Sequence, residues 1–157
     1  MAYNNGGGYR EPRNQGGQRD SYGYNHYQDS APRAIVPKDL PDDFVDIAEK
    51  RMSRCSRSIT TSKIRNLLSL VIDCYQAESR RTDGKITPES ADALTNMRIR
   101  VVYEMGRDDR NVGQLVRETE LLQYLAGIGD NRKALIRFYH YMEALVAYHK
   151  YMGGKEG

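Results

Sequence analysis

One stretch limits the fold class more than any other: NRKALIRFYHYMEALVAYHKYM, residues 131–152. Leu135, Phe138, Tyr139, Met142, Leu145 and Val146 recur at helical spacing, and His149 continues the same face. An apolar stripe of this period commits the segment to a long helix with one buried side, which other apolar faces must cover. Asp130 is placed to cap its start, and Gly153-Gly154 ends it.

The faces that could cover it have the same character. From Ile35 onward no apolar/polar alternation persists beside a hairpin signal, so no strand is expected. A first helix is expected over about 40–54, with Asp39 as cap, Pro41 in the first turn, and a stripe of Phe44, Ala48 and Met52 joined by Val45. A second, about 61–78, carries Ile64, Leu67, Leu68, Val71 and Ile72. A third opens at TPES, with Thr87 as cap and Pro88 in the first position, and runs to about Met105 before Gly106. Its stripe is Leu94, Met97, Val101, Val102 and Met105. A fourth, about 112–126 after Asn111, turns Val112, Leu115, Val116, Thr119 and Leu122 inward. The expected fold is all-α: a compact bundle of about five amphipathic helices.

Residues 1–33 differ in kind. They are rich in Gly, Asn, Gln, Tyr and Arg and, apart from Met1, hold no aliphatic side chain larger than Ala. Such a segment cannot bury enough surface to offset its ordering entropy, so residues 1–37 are expected to form a disordered tail ahead of a helical domain at 38–155. The Gly/Tyr/Arg mixture suits either a plain solvated tail or a flexible RNA-contacting one. Cys55 and Cys74 form neither a C-x-x-C pair nor a zinc spacing and are expected to be reduced. Without a signal-peptide core or a long apolar run, the expected location is soluble and cytoplasmic, with no membrane partner.

Motifs for catalysis are missing. There is no Walker A loop, no dinucleotide fingerprint, no H-E-x-x-H and no nucleophile elbow, so no enzyme and no cofactor is expected. His140 and Glu143 share a face at i, i+3, but a carboxylate-bridged metal bundle needs two Glu-x-x-His motifs and further acids, so no metal is expected. The basic residues say more. Net charge is only +3, from 24 basic and 21 acidic residues, so placement matters more than the total. In ITTSKIRNLLSLVI, residues 59–72, Lys63 and Arg65 occupy a first helical turn behind the hydroxyls of Thr60, Thr61 and Ser62. The macrodipole disfavours cations there by about 0.3–1 kcal/mol. Arg132, Lys133 and Arg137 repeat the arrangement, and Arg98, Arg100, Arg107 and Arg110 lie on or just after the third helix. Free amides, hydroxyls and a cation together make a phosphate site; the other reading is a solvated charged surface.

Arg98 falls inside the apolar stripe of the third helix, where it must pair with a carboxylate or snorkel; Glu143 is the expected partner in a structural ion pair, and RNA contact is the other reading. Tyr103, Tyr141, Tyr148 and Tyr151 could stack on bases or serve core and subunit contacts.

Three segments in order, ITTSKIRNLLSL (59–70), RIRVVYEMGRD (98–108) and FYHYMEALVAYHKYMGG (138–154), resemble the small subunit of type III-A CRISPR effector complexes, the Csm complexes. The matching pattern is a T-T-x-x-I-R helix start, a Y-x-x-G-R helix end and a C-terminal M-E-A-[LIV]-V-A-Y helix before glycines. The tail lies outside the family core, and Asn66 stands where the family often has a second basic residue. The resemblance implies an all-helical, non-catalytic subunit that stacks on copies of itself. Its stack would line the channel holding guide RNA and target RNA, beside the backbone and large subunits. It carries RNA contact onto Lys63, Arg65, Arg107, Thr60 and Thr61; position alone adds Arg100, Arg132, Lys133 and Arg137. The alternative is a helical adaptor that binds protein and touches no RNA.

Overall fold

The long amphipathic run forms a helix against which two others pack. The structure, a computed structural model, describes residues 34–157. The expected tail falls almost wholly on residues 1–33, which lie outside the described residues. Among the described residues there are six α-helices and no strand: α1 (Phe44–Cys55), α2 (Thr61–Ser79), α3 (Pro88–Arg107), α4 (Gln114–Glu118), α5 (Leu121–Gly127) and α6 (Arg132–Tyr151). A π-helical turn, Asp109–Gly113, joins α3 to α4. The chain is all-α, as its periodicity predicts.

α6 lies against α1 and α2, and α3 packs on the other side of α2 with the π turn, α4 and α5. Phe138, Tyr141, Met142 and Leu145 of α6 meet Met52 of α1, Ile64 and Val71 of α2, and Leu115 and Leu121 in one core. Each fully buried side chain of this size contributes about 1.5–3 kcal/mol. Cys55 and Cys74 are buried free thiols.

Four local expectations are corrected. α1 starts at Phe44 rather than near residue 40, because the preceding segment is docked without regular structure and turns at Asp42 and Asp43. The Lys38 N–H donates to the Gln123 carbonyl at 3.0 Å, and the Arg137 guanidinium donates to the Leu40 and Pro41 carbonyls at 3.1 and 2.8 Å. α6 is capped by Asn131, whose side chain accepts the Ala134 N–H at 3.1 Å, rather than by Asp130. The fourth helix is not continuous. Asn111 sits inside the π turn, and Glu120 takes the left-handed conformation (φ +51°), which separates α4 from α5. The Glu120 carboxylate accepts hydrogen bonds from Lys38, from Arg51 (2.7 Å) and from the Tyr124 hydroxyl (3.2 Å), so tertiary contacts hold the break. The inward face is nevertheless the one the spacing predicts: Val112, Leu115, Val116, Thr119 and Leu122 are all buried. Lastly, the buried seam of α3 is Leu94, Met97 and Val101, narrower than expected, with Val102 exposed.

Glu78 fixes the turn between α2 and α3. Its carboxylate accepts the Thr87 N–H at 2.8 Å, the Thr87 hydroxyl at 3.2 Å and the Arg81 guanidinium at 2.7 Å. Burial alone would raise this carboxyl, but donors from Ser90, Thr87 and Arg81 outweigh it and bring it down to about 2. Thr87 in turn caps α3, accepting the Ser90 N–H at 3.1 Å.

Candidate nucleic-acid interface

The first turn of α2 is partly closed by the chain's own C-terminal segment. Of the three hydroxyl residues at the helix start, Thr60 is the cap, its hydroxyl accepting the Lys63 N–H at 3.4 Å. The Thr61 N–H, however, donates to the Lys155 carbonyl at 2.7 Å, and the Thr61 hydroxyl donates to the same carbonyl at 3.1 Å. Thr61 is 2% exposed, with its N–H and hydroxyl both engaged by the Lys155 carbonyl. Behind it the buried His149 donates from Nε2 to the Ile59 carbonyl at 2.9 Å, and Gly154 lies so close to the imidazole that a β-carbon there would collide with the ring.

Beside this turn, α2 and α3 enclose a cleft of about 440 Å³. Lys63, Asn66 and Ser69 line it from α2, and Arg100, Glu104 and Arg107 from α3, over a floor that includes Leu67, Leu70 and Val112. Helical spacing produces this convergence: Lys63, Asn66, Leu67 and Leu70 share one side of α2, and Arg100, Glu104 and Arg107 share one side of α3. Lys63 donates to the Asp108 carboxylate at the end of α3. That hydrogen bond is the main reason the Asp108 carboxyl lies below its usual range; burial opposes it, and the Asn111 amide adds to it. Arg107 stands 3.6 Å from Glu104, and Arg100 has no counter-ion among the described residues. Arg65 is exposed on the same first turn as Lys63 but does not line the cleft. The cleft thus offers two long flexible guanidinium groups and an ammonium to an anionic ligand, with amide and hydroxyl groups between them.

The cations at the start of α6 are used differently. Arg132 donates from Nε to the Asp83 carbonyl at 2.6 Å and from a guanidinium N–H to the Glu78 carbonyl at 3.0 Å, pinning the α2–α3 loop. Arg137 holds the segment before α1, pairs with Asp42 at 3.0 Å and lies over the Phe44 ring. Both are engaged within the chain by backbone carbonyls. Lys133 is exposed at the rim of a second hollow, about 430 Å³, bounded by Lys38, Tyr124, Phe138 and Arg137.

The Arg98–Glu143 pair does not form. Arg98 is exposed just off the narrow seam of α3, and Glu143 accepts from His140 Nδ1 at 2.9 Å. Of the tyrosines considered for base stacking, Tyr141 is a core residue whose hydroxyl donates to the Thr119 carbonyl at 2.7 Å. Tyr103 and Tyr151 are exposed, and Tyr148 is half-buried against Tyr151. Asn66, Ser69 and Glu104 were missed as cleft residues; the i, i+4, i+7 register of Arg100, Glu104 and Arg107 was the available signal.

No described helix is long and apolar enough to cross a membrane. Comparison with known proteins agrees with the resemblance in the sequence. The family model for Csm2 of type III-A matches residues 38–155. The "CRISPR system Cms protein Csm2" of Mycobacterium tuberculosis (strain H37Rv) is 36% identical over 121 residues, covering 74% of this chain and 97% of that protein. The protein of the same name from Streptococcus thermophilus is 37% identical over 121 residues, covering 73% and 95%. That from Enterococcus italicus is 30% identical over 95 residues, covering 59% and 67%. The chain belongs to the Csm2 family, the small subunit of type III-A CRISPR effector complexes.

Proposed function

We propose that this subunit is non-catalytic and grips RNA through the α2/α3 cleft by contacts to the sugar–phosphate backbone that read no sequence. The observation that carries this is the convergence of Lys63, Arg100 and Arg107 on one cleft from two helices. Arg65, exposed beside it, extends the basic surface. Specificity then comes from guide–target pairing, as in other RNA-guided complexes. The working unit is residues 38–155, with residues 1–37 as an appendage, within a cytoplasmic antiviral complex that contains guide RNA, target RNA and the backbone and large subunits.

Copies of the chain stack head to tail in this reading. α3 presents Ile99, Val102 and Tyr103, all exposed, at i, i+3, i+4 spacing beside Arg98 and Arg100. α1 and α6 present Val45 and Tyr151 beside the exposed acids Asp46 and Glu49. Exposed apolar side chains on separate helices support a heterologous contact, which propagates rather than closing as a dimer.

The test replaces Lys63, Arg100 and Arg107 by Ala in the full chain, assembled with the other complex subunits. Target-RNA affinity is measured from about 50 to about 200 mM salt. The expected result is a loss of tenfold or more at the lower salt and a flatter salt dependence. Unchanged affinity and slope would establish the protein-only adaptor instead.

A further inference from the structure

The α2/α3 cleft has one carboxylate among its cations. Glu104 stands between Arg100 and Arg107 on α3, and its side chain is 25% exposed. Arg107 is 3.6 Å away, beyond a good hydrogen bond, and Lys63 across the cleft is engaged by Asp108. Across from it, the Ser69 hydroxyl donates to the Asn66 carbonyl at 2.7 Å. Glu104 is therefore the carboxylate acceptor of the cleft: it has a loose ion pair with Arg107 and, among the described residues, no hydrogen-bond donor within 3.5 Å.

A carboxylate repels phosphate, so a cleft that met phosphates alone would bind better without it. It becomes useful when the ligand brings a hydrogen-bond donor to the same place. Along a nucleic-acid backbone that donor is the ribose 2′-hydroxyl, which RNA has and DNA lacks. Resting on the reading that this cleft holds a nucleic-acid backbone, we propose that Glu104 accepts a hydrogen bond from a ribose 2′-hydroxyl and makes the cleft select RNA over DNA. The neighbouring cations hold the adjoining phosphates, and Glu104 penalises any backbone that cannot donate to it.

The experiment uses the full chain and one single-stranded oligonucleotide sequence in three forms: RNA, DNA and 2′-O-methyl RNA. The methylated form keeps the ribose oxygen and removes its proton. The wild type is expected to bind RNA about tenfold more tightly than either other form, the scale of one hydrogen bond to a charged group. Glu104→Ala should bring all three within about twofold, mainly by strengthening the two weaker ligands. Glu104→Gln keeps an acceptor and should retain part of the preference. Equal binding of RNA and its methylated form by the wild type, or an equal change for all three ligands in Glu104→Ala, would overturn the proposal. Lys63→Ala/Arg100→Ala/Arg107→Ala separates the two levels. If it weakens every ligand while Glu104→Ala leaves the ratios intact, only the 2′-hydroxyl contact fails; if it weakens none, the cleft is not the nucleic-acid site. Circular dichroism checks that each variant keeps its helices.

Discussion

Lys63, on the first turn of α2, is already paired with Asp108 at the end of α3. The cation that breaks dipole logic in the sequence thus has an anion at hand, and any phosphate must compete with Asp108 for it. Replacing Asp108 by Asn should free Lys63 and tighten single-stranded RNA binding about threefold, while steepening the salt dependence by about 0.7 in log–log slope. Titrations at several salt concentrations measure both. With Lys63 already replaced by Ala, the Asp108→Asn change should have no further effect.

Arg137→Ala should lower stability by about 1 kcal/mol, since it leaves the half-buried Leu40 carbonyl without its guanidinium donor, and Arg132→Ala should lower it by less, since the Glu78 carbonyl keeps the Arg81 N–H. Neither should change the salt slope of RNA binding. A flatter slope in either variant would return that arginine to the RNA surface.

Acid should act through Glu78. Its carboxyl is brought to about 2 in the folded chain, below the ordinary 4.5. The stabilisation is therefore complete above the unfolded value and is lost as pH falls from about 4.5 toward about 2. Glu78→Gln should lower stability at neutral pH, because the neutral amide accepts more weakly from Thr87 and Arg81, while Arg81 itself keeps Asp83 at 2.6 Å. It should also flatten the pH dependence of urea midpoints in that window relative to wild type.

At Glu120 the usual order of helix formers should reverse. Ala and Gly both remove the carboxylate that binds Lys38, Arg51 and Tyr124, but only Gly suits φ +51°. Glu120→Gly should be more stable than Glu120→Ala by about 1 kcal/mol, read from denaturant midpoints. Equal stability would mean that the backbone relaxes out of the left-handed region.

Gly154→Ala should detach the C-terminal segment from α2, because the added methyl has no room beside the His149 ring. Faster amide exchange at Thr61, whose N–H donates to Lys155, is the direct readout.

What the sequence made legible was periodic. The burial of Leu135, Phe138, Met142 and Leu145, the inward face at residues 112–122, and the caps Thr60 and Thr87 all follow from local spacing and local hydrogen bonds. What it hid was non-local. A Glu carries no mark of a left-handed backbone, so the α4–α5 break depends on Lys38 and Arg51, far away in the chain. Spacing located every candidate cation but not its partner: Lys63 and Asp108 are 45 residues apart, and Arg137 and Leu40 are 97 apart. Hence Arg132 and Arg137 looked equivalent to Arg100 and Arg107 until the fold separated carbonyl clamps from a basic cleft. Arg98 was misread because the stripe of α3 is narrower than its run of apolar residues.

The bond from Thr61 to Lys155 spans 94 residues. Contacts so distant in sequence form late, since the loop-closure entropy must be met first. The first turn of α2 therefore stays open until the Lys155 segment docks on it. Lys63 and Arg65 sit on that turn, so the backbone that carries them is fixed by a contact from the far end of the fold and not by the helix alone.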